Sequence, residues 1–151
     1  MRRLAVLVAL GGLGCGSRPQ AVTPQSPNQT LAQFMDAVKA NDLKRLGALW
    51  GSERGPVADR MKPADLNKFL TVIQIYLAHE GYRVIDGPLP KAGQDNALTY
   101  HLELDRRGCH IGTPIELMRG KSGTWFVYDV HLETLPNPAR GCQYPGAGTP
   151  P

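Results

Sequence analysis

The chain has 151 residues with 17 Lys and Arg against 13 Asp and Glu, a formal net charge of +4. That length holds one domain of ordinary size and leaves little room for a second independently packed one. A hydrophobic share of 42% with 20% charged residues excludes wholesale disorder, and three cysteines, an odd number, need an explanation.

Met1-Arg2-Arg3 opens with positive charge, Leu4 to Leu10 is apolar and uncharged, and Gly11-Gly12-Leu13-Gly14 places small residues ahead of Cys15. This is the pattern of an export signal, and its apolar run is too short to cross a bilayer core of about 30 Å. A signal ending in small residues plus cysteine resembles the lipobox of bacterial lipoproteins. The resemblance implies that residues 1–14 are removed, that Cys15 is diacylated, and that the lipid anchors the chain to a membrane. Gly16 stands where those proteins carry Asp when retained at the inner membrane, which implies an outer-membrane lipoprotein facing the periplasm. Loss of Arg2 and Arg3 takes the 17 basic residues to 15 against 13 acidic, a net +2. No basic run exceeds Arg106-Arg107 and none is interleaved with aromatics, so nucleic acid is excluded as a partner.

Residues 15–28 are rich in Pro, Ser, Gln and Thr and read as a tether. Residues 136–151, with five prolines, read as a tail, leaving a folded unit over 29–135. Leu31, Phe34, Met35 and Val38 recur at helical spacing, Asn41-Asp42 marks a break, and Leu43, Leu46, Leu49 and Trp50 form a second short face. Residues 51–61 read as a loop. Pro63 opens a third helix with Leu66, Phe69, Leu70, Ile73, Tyr76 and Leu77 on one face, and Gly81 is its expected C-cap. From Tyr82 the period falls to two. Tyr82 to Asp86 is a short strand ended by Gly87-Pro88. Asn96 to Leu104 turns Leu98, Tyr100, Leu102 and Leu104 inward, and residues 105–108 form a turn. Cys109 to Met118 turns Cys109, Ile111, Thr113, Ile115 and Leu117 inward. Thr124 to Thr134 turns Phe126, Tyr128, Val130 and Leu132 inward. Helices followed by an antiparallel meander define an α+β domain, with the helices packed on one sheet face.

The stretch Leu31 to Trp50, LAQFMDAVKANDLKRLGALW, is similar to the opening of nuclear transport factor two-like domains, in which N-terminal helices pack into a curved antiparallel sheet to form a cone. The resemblance implies a ligand cavity between helices and sheet, for which Trp50, Tyr76, Tyr82, Tyr100, Thr113 and Tyr128 are the candidate lining residues. Enzymes of that family hold an inward general base. Here Asp36 and Asp86 are the candidates, with Tyr100 and Tyr128 as hydrogen-bonding partners, yet no inward strand position from Asn96 onward carries an acid or histidine. A non-catalytic domain binding an envelope protein or small apolar ligand, without a cofactor, is the expectation. A cofactor-free isomerase, cyclase or hydrolase is the alternative.

With Cys15 lipidated, Cys109 and Cys142 remain in an oxidising compartment. Matching inward faces pairs Arg119 with Thr124, which sets Cys109 opposite Thr134, eight residues short of Cys142, so a disulfide is expected. The same register places Leu104 opposite Cys109 and builds two outer rows, Glu103–His110–Glu133 and His101–Gly112–His131. Imidazole and carboxylate suit zinc-like ions, so His101, Glu103, His110, His131 and Glu133 are candidate metal ligands, set against a plain solvated surface. Trp125 and Met118 beside these rows make the outer sheet face a candidate surface for a partner protein or a second copy.

Overall fold

The computed structural model describes residues 26–142. The signal, Cys15, most of the tether and residues 143–151 lie outside the described residues. Helix α1 spans Pro27–Lys39, with Ser26 accepting a hydrogen bond from the Gln29 amide at 3.2 Å as its N-cap and Pro27 in the first turn. It therefore opens two residues before the boundary read at Gln29. Asn41, at φ 53°, breaks the helix, and Asp42 caps α2 (Leu43–Leu49) by accepting from the Arg45 amide at 3.0 Å. The expected loop at 51–61 contains a small hairpin, β1 (Gly51–Ser52) and β2 (Gly55–Pro56), and a 3-10 turn at Val57–Asp59.

Helix α3 (Pro63–Leu77) ends four residues before Gly81, which instead opens the first long strand. The terminal carbonyls explain the early stop. His79 Nδ1 lies 2.9 Å from the Leu77 carbonyl and Arg106 Nη1 donates to the Tyr76 carbonyl at 2.9 Å, so side chains replace a glycine cap. No helix among the described residues is long and apolar enough to cross a membrane.

Strands β3 (Gly81–Lys91), β4 (Gln94–Arg106), β5 (Cys109–Arg119) and β6 (Trp125–Asp129) form one antiparallel meander in chain order. With three helices before it, the domain is α+β. β3 runs through Gly87-Pro88 rather than stopping there. As an edge strand it needs only one ladder, so prolines 88 and 90 are tolerated, at the cost of three register shifts along its length. Gly87 sits at φ +114°, and a Cβ there would lie 2.8 Å from the Thr99 carbonyl oxygen.

The β4–β5 register differs from expectation by two residues. Arg106 pairs with Cys109, so the turn is only Arg107-Gly108, at φ 50° and 78°, the backbone of a two-residue hairpin turn. Because the shift is even, the inward faces are as expected but the partners change. Leu104 faces Ile111, Glu103 faces Gly112 and His101 faces Pro114. In β6 the shift alters the face itself. Val127 pairs with inward Leu117, and Tyr128 is an extra residue in a bulge, 40% exposed rather than inward. Phe126 pairs with Met118 on the opposite face and is buried against Gly51 of the small hairpin. Met118 is itself buried and Trp125 is half-buried, so neither is the exposed surface expected.

The space between helices and sheet is filled. Phe34, Met35, Val38, Leu46, Leu70 and Leu77 meet Tyr100, Leu102, Leu104, Ile111, Ile115 and Leu117, all within 1% of complete burial. Trp50 stands edge-on to Phe69 at 5.1 Å and tilted to Phe34 at 5.9 Å. Thr113 is buried among these side chains, and its hydroxyl donates to the Val130 carbonyl at 3.3 Å.

Candidate functional site

Where the packed interior ends, at the C-terminus of α3, an open cleft of about 550 Å³ remains. Ile75 and Ala78 form one side. The β4–β5 turn contributes Arg106 and Arg107, and the C-terminal segment closes the cleft with Pro138 and Ala139. Three constraints hold that segment in place. Asp129 Oδ1 accepts from the Val130 and His131 amides at 2.7 and 3.1 Å, ending β6 early and turning the chain. Arg106 reaches the Pro136 carbonyl at 3.5 Å while also binding α3. Cys109 and Cys142 then form the expected disulfide, although the chain has left the sheet before reaching a position opposite Cys109.

The cleft combines an apolar surface with a few polar groups. Ile75 is 46% exposed there. Gln74, His79 and Glu80 supply hydrogen-bonding groups beside Arg107. Burial, with a contribution from the nearby Lys39 charge, holds the His79 imidazole below its ordinary value despite the Leu77 hydrogen bond, so it is neutral at pH 7. With Nδ1 donating to Leu77, Nε2 is an acceptor. Glu80 accepts from the Arg107 amide at 3.3 Å, linking the turn to the end of α3.

A second cleft of about 230 Å³ lies between the start of α1 and β3. Tyr82 and Tyr100, both read as cavity candidates, line it with Asn28 and Val84. The Tyr100 hydroxyl donates to Asn28 Oδ1, and burial pushes both phenols above their ordinary range, with the Asp36 charge adding to the effect at Tyr82. The other four cavity candidates do not share it. Thr113 is buried, Trp50 and Tyr76 pack against the core, and Tyr128 faces solvent. Asp36 and Asp86 are both exposed, and Asp86 turns an oxygen to its neighbour's amide at Gly87, 2.8 Å away.

On the outer sheet face the two expected rows are divided differently. His110 lies 2.7 Å from Asp105 and 3.3 Å from Glu103, which also pairs with Arg83 at 2.6 Å. Glu133 is not in that group. It lies 2.9 Å from His131 Nδ1, while His131 Nε2 is 3.1 Å from Glu116, a buried carboxylate also bonded by Lys91. His101 stands outside both groups, since the changed register sets it opposite Pro114. Each group, Glu103–Asp105–His110 and Glu116–Asp129–His131, brings one imidazole and two carboxylates within 4.8 Å of one another. At Glu116 a cation would compete with the Lys91 ammonium.

His131 faces a carboxylate at each ring nitrogen, so both contacts are hydrogen bonds only when the imidazole is protonated. Burial opposes that charge, but the bonds to Glu133 and Glu116 and the Asp129 charge outweigh it and raise the imidazole above its ordinary value. A histidine raised on folding adds stability that is fully present below the unfolded value near 6.5 and is lost as pH rises through the folded one. Thermal unfolding from pH 5.5 to 9 should therefore show the native chain's advantage over His131→Gln shrinking with rising pH. A constant difference would contradict the bridge.

These features define an α+β domain with a filled interior and an amphipathic cleft at its rim. No protein-family model matches the sequence, and no curated protein does either. Among solved structures the chain has a distant similarity to a phospholipid-binding protein from Ralstonia solanacearum, solved in complex with a phospholipid. That likeness is 13% identical, covers 68% of this chain and 73% of the other, and has a TM-score of 0.34. At that distance it assigns neither a family nor a ligand. Sequence reasoning missed His79 and Arg107 as site residues, although Arg106-Arg107 was noted as a basic pair in the turn between two strands.

Proposed function

We propose that this chain is a non-catalytic binding domain, held at a bacterial envelope membrane through lipid on Cys15, that takes a small amphipathic ligand in the cleft at the end of α3. The supporting observation is the cleft itself. Its volume of about 550 Å³ lies within the range of about 300–1,000 Å³ usual for small-molecule sites. Apolar Ile75, Ala78, Pro138 and Ala139 suit an aliphatic body, and Arg107 at the mouth suits a carboxylate or phosphate head. The neighbouring cleft, at about 230 Å³, is below that range and suits only part of a ligand. Placement at the outer membrane, and kinship with the nuclear transport factor two-like cones, belong to the same proposal.

Binding rather than conversion is favoured by the placement of the candidate bases Asp36 and Asp86, and the cleft's own acid, Glu80, is bonded to the Arg107 amide. Asp36 and Asp86 are exposed, while the inward side of β4 and β5 presents aliphatic residues with Tyr100 and Thr113. The neutral His79 serves as a hydrogen-bond acceptor in the cleft.

Dodecanoate, an aliphatic chain with one carboxylate, is a suitable probe. Titration followed by calorimetry should give saturable binding. Arg107→Ala should weaken it about tenfold or more, as expected for a charge-assisted hydrogen bond of about 1.5–3 kcal/mol. Ile75→Asp should weaken it similarly by placing a carboxylate against the aliphatic chain. Both residues are exposed, so unfolding temperatures should stay close to that of the native chain. Unchanged affinity in both variants would sink the proposal.

A further inference from the structure

The end of β6 gathers more negative charge than its neighbours neutralise. Glu116 and Asp129 stand directly opposite each other across β5 and β6, an arrangement that is destabilising for like charges. Glu116 is only 6% exposed, so water screens it little. His131, at φ 46°, turns its ring back onto β5, with Nε2 3.1 Å from Glu116 Oε1. Glu133, in the 3-10 turn Leu132–Thr134, adds a third carboxylate 2.9 Å from Nδ1. Against these three stands the Lys91 ammonium at the end of β3, which still leaves the group negative when the imidazole is neutral.

The donors are divided as a metal site divides them. Lys91 holds Oε2 of Glu116, so it competes at that oxygen alone and Oε1 is the one that faces the imidazole. The Val130 and His131 amides hold Asp129 Oδ1, which fixes that carboxylate while its second oxygen can turn to an ion. One donor atom from each of His131, Glu116 and Asp129 lies within 4.8 Å of the others. Donors at a tetrahedral ion, with bonds of about 2.0–2.2 Å, stand about 3.3–3.6 Å apart. The Nε2–Oε1 pair at 3.1 Å is therefore within a few tenths of an ångström of that spacing. With Nε2 on the ion, Nδ1–H donates to Glu133, the outer carboxylate that metal-bound histidines usually have.

The other imidazole group lacks this division. There the Glu103 oxygen that faces His110 at 3.3 Å also takes Arg83 at 2.6 Å, so a cation would have to displace the guanidinium. The choice of ion follows from the donor types. Imidazole with carboxylates suits zinc-like first-row cations, whereas magnesium and calcium favour oxygen alone.

We infer that His131, Glu116 and Asp129 form a binding site for a zinc-like divalent cation, with Glu133 and Lys91 as its outer partners. The cation takes the place of the proton that otherwise lies between Nε2 and Glu116. Asp129 and His131 stand where the chain leaves β6, so the bound ion ties the start of the C-terminal segment to the sheet. The site depends neither on the ligand proposed for the cleft nor on lipid at Cys15.

The probe is zinc ion alone, titrated calorimetrically at neutral pH into the full chain after treatment with a chelator and its removal. Cys15 is blocked with N-ethylmaleimide, because a free thiolate would itself take zinc, and the other two cysteines stay in their disulfide. One equivalent should bind saturably and raise the unfolding temperature, and excess magnesium should not displace it. His131→Gln and Asp129→Asn should each weaken zinc binding by about tenfold or more, whereas His110→Gln should leave it unchanged. Glu133 has a side chain 71% exposed, so Glu133→Gln leaves the packing intact and should weaken binding by about tenfold through the imidazole. No saturable binding in the native chain, or equal affinity in the native chain, His131→Gln and Asp129→Asn, would overturn the site.

Discussion

Replacing Cys109 and Cys142 together with alanine should lower the free energy of unfolding by about 4 kcal/mol. The bridge closes a loop of sequence separation 33, and the loop-entropy relation gives that magnitude for such a span. It is a large share of the roughly 5–15 kcal/mol that stabilises a single domain. The loss should be accompanied by weaker dodecanoate binding, because Pro138 and Ala139 of the cleft lie on the segment that the disulfide ties down. Urea unfolding of the oxidised native chain and the double variant, read at the same pH, gives the first quantity. A loss below about 1 kcal/mol would mean that Arg106, bridging the Tyr76 and Pro136 carbonyls, holds the segment without the bond.

Tyr100→Ala should be comparably destabilising, by about 3–5 kcal/mol, the cost of truncating a large buried side chain. Tyr100 is 1% exposed and stands in the inward row of β4 opposite Ile115. Gly87 is pressed close to its backbone, where a Cβ would lie 3.0 Å from the Tyr100 α-carbon. Tyr100→Phe separates the contributions, since it removes only the hydroxyl bond to Asn28 and should cost about 1 kcal/mol. Urea unfolding of both variants checks the ordering. Equal losses would mean that the polar contact, rather than the packed ring, holds α1 to the sheet.

The helices were legible because their apolar spacing is strong. Leu31, Phe34, Met35 and Val38 are all buried as one face of α1, and Leu70, Ile73 and Leu77 are buried on α3. The strand faces of β4 and β5 were legible for the same reason, but their partners were not. A turn at 105–108 and a turn at 107–108 give the same alternation, and only the backbone at Arg107 and Gly108 distinguishes them. That two-residue difference moved His101, Glu103 and His110 onto new neighbours. In β6 the run Trp125-Phe126-Val127-Tyr128 offers apolar side chains to both faces, so periodicity could not say which was inward. The small hairpin, absent from the expected elements, is what covers Phe126.

The cleft was hidden for a different reason. Its parts come from Ile75, Arg107 and Ala139, which are far apart in sequence, and one side belongs to a Pro-rich stretch that composition alone reads as a tail. The disulfide was expected, but its consequence, an ordered segment against the end of α3, required the path of the chain after Asp129.

Nuclear Overhauser measurements on the full chain with dodecanoate test the central claim most directly. The binding account predicts contacts from the ligand's methylenes to the Ile75, Ala78 and Ala139 methyls, with the carboxylate end nearest Arg107. Contacts confined to Val84 and Leu89, or no contact to any of the three cleft methyls at saturating ligand, would contradict it.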